Sequence, residues 1–223
     1  MQEVITDDKS VTFRNEEYDE CYHTKSGAIE ESFEKYAKPC KIKDGMNILD
    51  VCFGIGYNSL AAIHMAEVDI IALENDIKIL KKIEEVKVSE DLKQDYEKIK
   101  QAAKDLEYKD EKVKIKILLG DARKTIKTIN KEFDAVFFDP FSPKKCPALW
   151  TYEFFSEIKK RMKKGSVLAT YSCASIVRKN LEKAGFRVED GPIIGRRSPS
   201  TLAYLNRISI NQPTSLFCAN KEN

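Results

Sequence analysis

The stretch from Asn47 to Ala62, NILDVCFGIGYNSLAA, constrains the fold more than any other part of the chain. It reads as an apolar strand that ends at Asp50, turns on Gly54 and Gly56, and enters a helix at Asn58 or Ser59. Glycine adopts the positive φ such a turn needs, and the helix start leaves bare backbone N–H groups beside any ligand. The same turn occurs in α/β proteins that bind nothing there, so its meaning depends on the strands and acids downstream of it.

Downstream, strands and helices alternate, the pattern of a mostly parallel sheet covered by helices on both faces. Expected strands are 46–51, 69–73, 113–119, 133–138 and 166–171, and segments near 187–189 and 202–208 complete a seven-stranded sheet. About forty residues separate the second and third strands, more than one crossover helix needs. Residues 76–88 read as one helix; Ser89 can cap a second, with Leu92, Tyr96, Ile99, Ala103 and Leu106 on one face. That stripe is most simply packing, with self-association as the alternative, so a monomer is favoured. The 223 residues divide into an N-terminal extension (1–45) packing over the active site, one α/β domain (46–210) and a C-terminal tail (211–223).

No apolar run is long enough to span a bilayer and the first residues lack a secretory layout, so a cytoplasmic location is expected. The six cysteines are scattered, with no Cys-x-x-Cys and two histidines; reduced thiols and no metal site are expected. The net charge of +2 hides an asymmetry: residues 1–40 carry five Lys/Arg against ten Asp/Glu, and residues 141–207 carry fourteen against five. A basic half suits a polyanion such as RNA, although a solvated lysine-rich surface has the same composition.

The glycine turn gains meaning from two acids. Glu74 ends the second strand twenty residues after Gly54, where a carboxylate can accept both hydroxyls of a ribose. Asp121 follows the third strand in Gly120-Asp121-Ala122, where its carboxylate can accept the exocyclic amine of adenine; each acid could instead cap a helix. Together these describe an S-adenosylmethionine pocket. A dinucleotide fits less well, because Asn58 and Ser59 stand where its third glycine would be. The fourth strand ends in Asp139-Pro140-Phe141-Ser142-Pro143, which puts Asp139 at the reaction edge of the sheet. There a carboxylate can accept a hydrogen bond from a substrate amine and favour the positive charge that develops on nitrogen.

Four blocks of this chain resemble the MnmC-like methyltransferases: Phe13 to Glu31, Cys52 to Asn58, Asp139 through Trp150, and Thr170 through Arg178 with Ala184-Gly185-Phe186 and Gly195-Arg196-Arg197. The resemblance implies a Rossmann-like class I fold and methyl transfer from S-adenosylmethionine to the amine of 5-aminomethyl-uridine at the wobble position of tRNA. It places Phe53, Gly54, Gly56, Tyr57 and Asn58 at the methionine side of the cofactor, Glu74 and Asn75 at the ribose, and Asp121 and Ala122 at the adenine, with Tyr22 and His23 closing over the site. The tRNA partner would meet Phe141, Ser142, Lys144, Lys145, Arg178, Arg196 and Arg197, and Trp150 and Tyr171 could stack on the extruded base, Trp150 being equally suited to a buried anchor. The flavin-dependent domain of the two-domain members has no counterpart in this sequence, so the amine is expected from elsewhere. An enzyme acting on a small amine, by methyl or aminopropyl transfer, and a non-catalytic RNA-binding protein with a vestigial loop are the alternatives.

Overall fold

The computed structural model describes residues 1–195 and 197–205. Its N-terminal part is a small antiparallel sheet of β1 (Gln2–Ile5), β2 (Val11–Asn15) and β3 (Glu20–Cys21). A helical segment follows, starting as α1 (Ala28–Glu31) and widening into a π-helix over Ser32–Ala37.

The main sheet has eight strands: β4 (Asn47–Val51), β5 (Asp69–Glu74), β6 (Glu107–Lys109), β7 (Lys114–Leu119), β8 (Phe133–Phe138), β9 (Met162–Thr170), β10 (Arg187–Asp190) and β11 (Thr201–Tyr204). Their spatial order is β10-β11-β9-β8-β4-β5-β7-β6. Pairing is parallel from β9 through β8, β4 and β5 to β7, and antiparallel at β6, β11 and β10. The chain runs from β4 outward through β5 and β7, then returns to β8 on the other side of β4. The crevice above the carboxyl ends of β4 and β8 is therefore the switch point where α/β sheets place their ligands.

The helices are α2 (Tyr57–Met65), α3 (Ile77–Lys82), α4 (Glu90–Asp105), α5 (Ala122–Thr125), α6 (Tyr152–Lys159) and α7 (Ser175–Lys183). They cover two cores, one on each face of the sheet. The alternation of side chains along β8 shows the division: Ala135 and Phe137 join α2, α4 and Tyr36, whereas Val136 and Phe138 join Trp150, Phe155 and Leu181. Strands buried on both faces lose the polar alternation, which is why β4 and β8 read as continuous apolar runs.

All seven expected strands are present; residues 206–208 of the last lie outside the described residues, as do Arg196, Cys218 and the 211–223 tail. The eighth strand, β6, is three residues on the sheet edge whose two outer side chains are exposed, so it carries no apolar signal. The expected 76–88 helix is shorter: α3 stops at Lys82 and a 3₁₀ turn covers Ile83–Glu85. The α4 stripe packs inward, with Leu92, Tyr96, Ile99 and Ala103 buried and the Tyr96 hydroxyl donating to the Ile55 carbonyl at 3.0 Å. Among the described residues no helix is long and apolar enough to cross a membrane, and Cys21, Cys40, Cys52, Cys146 and Cys173 are free thiols.

Candidate active site

The carboxyl ends of β4, β5, β7 and β8, together with residues from Asn15 to Lys25, enclose a cavity of about 600 Å³. Gly54 and Gly56 take φ of +56° and +80°, the left-handed conformation the turn requires. Glu74, buried at the end of β5, organises this corner. Its Oε2 accepts the Gly54 N–H at 2.8 Å, and its Oε1 accepts the N–H groups of Asn75 and Asp76 at 2.8 and 2.9 Å. Burial raises the Glu74 pKa against the pull of those three donors. A carboxylate offers about four acceptor positions, so Oε2 retains capacity for a hydroxyl.

The glycines do different work. Gly54 is on the cavity wall, where an added Cβ would come within 3.3 Å of the Tyr22 ring. Gly56 lies behind the wall, where an added Cβ would fall 2.6 Å from Ile99 Cγ2 and 2.8 Å from the Phe53 ring. Phe53 and Tyr57, expected at the cofactor, are buried behind the loop, and Tyr57 spends its hydroxyl on the Val11 carbonyl at 2.9 Å. These three residues shape the loop by packing. On the far wall, beside Asn75 and Ala122, Asp121 caps α5 by accepting the Arg123 N–H at 2.9 Å and holds the Arg123 guanidinium at 2.6 Å. Arg123 keeps the Asp121 carboxyl below its ordinary pKa.

Asp139 sits on the wall at the end of β8 with 11% of its side chain exposed. Oδ1 accepts the Tyr36 hydroxyl at 2.6 Å and Oδ2 accepts Asn58 Nδ2 at 2.9 Å, so Asn58 reaches the site through this carboxylate. Burial, helped by Glu31, pushes the Asp139 pKa up to about 7, while Tyr36 and Asn58 restrain it. His23 Nε2 lies 4.0 Å from Oδ2. Burial lowers the His23 pKa to about 4, which leaves a neutral imidazole at pH 7 whose Nδ1 is enclosed without a hydrogen-bond partner among the described residues. Behind the histidine, Glu31 and Lys35 form a buried ion pair one helical turn apart, and Glu31 Oε2 accepts the Thr24 N–H at 3.2 Å. On β4, Asp50 accepts the Ser59 hydroxyl at 2.6 Å, and burial pushes its pKa up to about 8.

The N-terminal sheet closes the cavity. Tyr22 donates to Asp76 at 3.2 Å while accepting from Asn15 at 3.0 Å, Tyr18 stacks on Phe141 with ring centres 4.6 Å apart, and Glu20 accepts the Ser142 N–H at 3.0 Å. Of the expected substrate contacts, Tyr22, His23, Phe141 and Tyr171 line the wall. Ser142 forms a turn, its carbonyl accepting from the N–H groups of Lys145 and Cys146. Lys144, Lys145 and Arg197 are exposed.

Two expected contacts are corrected. Trp150 is a buried anchor rather than a stacking platform: it donates Nε1–H to the Phe141 carbonyl at 2.8 Å and meets Phe138 edge-on. Arg178 is consumed by its own fold, bonding Asp190 at 2.6 Å, Thr201 Oγ1 at 3.1 Å and the Ser200 carbonyl at 3.2 Å. Sequence reasoning also missed Tyr18, Arg123, Glu31, Lys35 and Tyr36. The only signal for the last three was an acid–base pair at i, i+4 beside two aromatics, which ordinary surface helices share.

The residues present fit S-adenosylmethionine: Glu74 keeps acceptor capacity at the ribose position, and the volume suits a ligand of this size. Comparisons with known proteins agree. A family model described as S-adenosyl-L-methionine-dependent methyltransferase matches residues 83–206. The crystal structure of MnmC2 from Aquifex aeolicus is 37% identical, with a TM-score of 0.83 over 92% of this chain and 70% of that one. An uncharacterised protein of Methanocaldococcus jannaschii is 38% identical over 91% of this chain and 59% of its own length. The tRNA 5-methylaminomethyl-2-thiouridine biosynthesis bifunctional protein MnmC of Leptospira interrogans is 24% identical over 87% of this chain and 34% of its own length. The chain thus spans between a third and about six-tenths of these two relatives. Spermidine synthase from Thermotoga maritima, at 14% identity and a TM-score of 0.56, shares the fold alone. With more than half of its length matched and most of the Aquifex protein covered, the chain belongs to the MnmC-like family of S-adenosylmethionine-dependent methyltransferases.

Proposed function

We propose that this methyltransferase acts on the exocyclic amine of 5-aminomethyl-(2-thio)uridine at the wobble position of tRNA, giving 5-methylaminomethyl-(2-thio)uridine. The role for which the Leptospira relative is named supports the substrate class. The observation that carries the amine is Asp139, a nearly buried carboxylate on the cavity wall at the switch point, with one neutral donor on each oxygen.

S-adenosylmethionine, when bound, supplies a methyl group on a sulfonium, an electrophile that needs a nitrogen lone pair. An alkyl ammonium lacks one, and its unperturbed pKa resembles that of lysine, roughly 10.4. The low-polarity surroundings that raise the Asp139 pKa also disfavour an ammonium, and the carboxylate accepts an N–H bond from the neutral amine, which fixes the direction of the lone pair. Asp139 would hold the amine toward the methyl group and take up the proton that nitrogen sheds once it is methylated. His23, neutral beside it, adds no competing charge. Exposed Lys144, Lys145 and Arg197, with Lys25 on the cavity wall, supply positive charge for phosphates.

The test combines the purified protein, methyl-labelled S-adenosylmethionine and tRNA carrying 5-aminomethyl-uridine, followed by nucleoside analysis. Label in 5-methylaminomethyl-uridine is the expected result. Label confined to small amines in a parallel reaction, or to another nucleoside, would overturn it.

A further inference from the structure

Asp139 is oriented from a distant part of the chain. Among the described residues its side chain has two donors, Asn58 on α2 and Tyr36 on the π-helix, 103 residues earlier, and neither belongs to its own loop. Tyr36 is fully buried, and its ring packs edge-on against Phe137 of β8 at 6.0 Å, so the hydroxyl is delivered by a rigid body. The π-turn is part of this delivery. With Lys38 N–H bonded to the Phe33 carbonyl, five residues back, the helix is wider than an α-helix at the turn that carries Tyr36, and such turns recur at functional sites. Because the phenol sits at the end of a stiff side chain with two rotatable bonds, the carboxylate it holds loses little freedom when substrate arrives.

We propose that Tyr36 is a positioning residue for methyl transfer: its hydroxyl fixes the Asp139 carboxylate so that the remaining lone pairs meet the substrate amine, which makes the N-terminal helix part of the catalytic apparatus. This rests on the reading of Asp139 as the amine-facing group. The groups that face Asp139 are Glu31 and Lys35 from the helix carrying Tyr36, His23 from the N-terminal segment, Asp50 and Cys52 from β4 and its loop, and Asn58 from α2; Tyr171, from beyond β9, faces Tyr36. Among them Tyr36 and Asn58 are the two that donate directly to the carboxylate. A donor to the charged form lowers a carboxyl pKa, so loss of the hydroxyl must raise it.

The experiment uses Tyr36→Phe, which keeps the ring, and, as a second variant with the bond intact, site-specific 3-fluorotyrosine at position 36, a more acidic and hence stronger donor. The Asp139 carboxyl is titrated directly by ¹³C NMR in aspartate-labelled protein, assigned with Asp139→Asn. Tyr36→Phe should move the midpoint up by about one unit and fluorotyrosine should move it down. The pH limb of kcat should follow both, with kcat in Tyr36→Phe about tenfold lower or more, and S-adenosylhomocysteine affinity within about twofold of the parent. Midpoints unmoved in both variants, or a kcat of Tyr36→Phe equal to the parent's, would overturn the proposal. The NMR titration needs no tRNA, so a wrong nucleoside substrate would show as absent turnover in the parent while the carboxyl midpoints still respond.

Discussion

The two halves of the cavity are built in opposite ways. On the sheet-edge half the acids bond mostly to backbone: Glu74 accepts three N–H groups and Asp121 caps its own helix. On the half supplied by the N-terminal segment, the bonds bridge distant parts of the chain through side chains: Tyr22 to Asp76 across 54 residues, Tyr36 to Asp139 across 103, and Glu20 to the Ser142 N–H across 122. The first half is fixed once the sheet has its register. The second depends on docking, and on the proposed reading of Asp139 it is the half that would meet the acceptor, where members of one fold can differ in substrate without disturbing the cofactor.

Asp139 stands at the junction, and Asp139→Asn tests to which half it belongs. We expect kcat to fall by on the order of 10²–10⁴, with S-adenosylhomocysteine affinity by calorimetry within about threefold of the parent. If affinity falls as far as turnover, the residue belongs with the cofactor. The same variant changes the pH profile of stability. With a folded pKa of about 7, far above the ordinary carboxyl range, the native protein binds more protons than the unfolded chain between roughly pH 4 and 7. The stability contributed by protonated Asp139 is therefore complete below that window and lost as pH rises through 7. Asn cannot ionise, so denaturant midpoints for the variant should decline less between pH 5 and 8 than those of the parent; identical slopes would mean that the carboxyl is not held in a desolvated state.

A smaller difference separates Glu74→Ala from Tyr22→Phe. Removing Glu74 takes the acceptor from three N–H groups, that of Gly54 buried and those of Asn75 and Asp76 partly so, and should cost about 3 kcal/mol of apo stability with about a hundredfold loss of cofactor affinity. Tyr22→Phe removes one hydroxyl from a partly exposed pair of bonds and should cost about 1 kcal/mol. Equal losses, read by chemical denaturation, would erase the distinction between the halves.

The same contrast explains what sequence could reveal. Gly54, Glu74, Asp121 and Asp139 were legible because each lies at a fixed offset from a strand end, and strand ends follow from apolar runs. Which glycine lines the cavity was not legible: Gly54 and Gly56 look alike in sequence and differ in having Tyr22 or Ile99 overhead. Tyr36 and the Glu31–Lys35 pair were hidden because a buried ion pair and a surface one have the same spacing, and only docking of the helix decides between them. Arg178 misled for the converse reason. A basic residue at a helix start near the reaction edge suggests phosphate, yet β10 and β11 bring Asp190 and the Ser200 carbonyl to it.

Arg178 and Arg197 together give the smallest and most discriminating test. Arg197 is exposed, so Arg197→Ala should weaken tRNA binding about threefold and reduce the slope of log affinity against log salt by about one. Arg178→Ala should leave that slope unchanged and instead lower stability by about 1 kcal/mol, because its guanidinium ties α7 to β10 and β11. Fluorescence anisotropy across a salt series separates the two outcomes. If Arg178→Ala flattens the slope while Arg197→Ala does not, the guanidinium leaves Asp190 for a phosphate, and RNA binding must rearrange the β10–β11 hairpin; that would move acceptor recognition from the N-terminal segment to the opposite edge of the sheet.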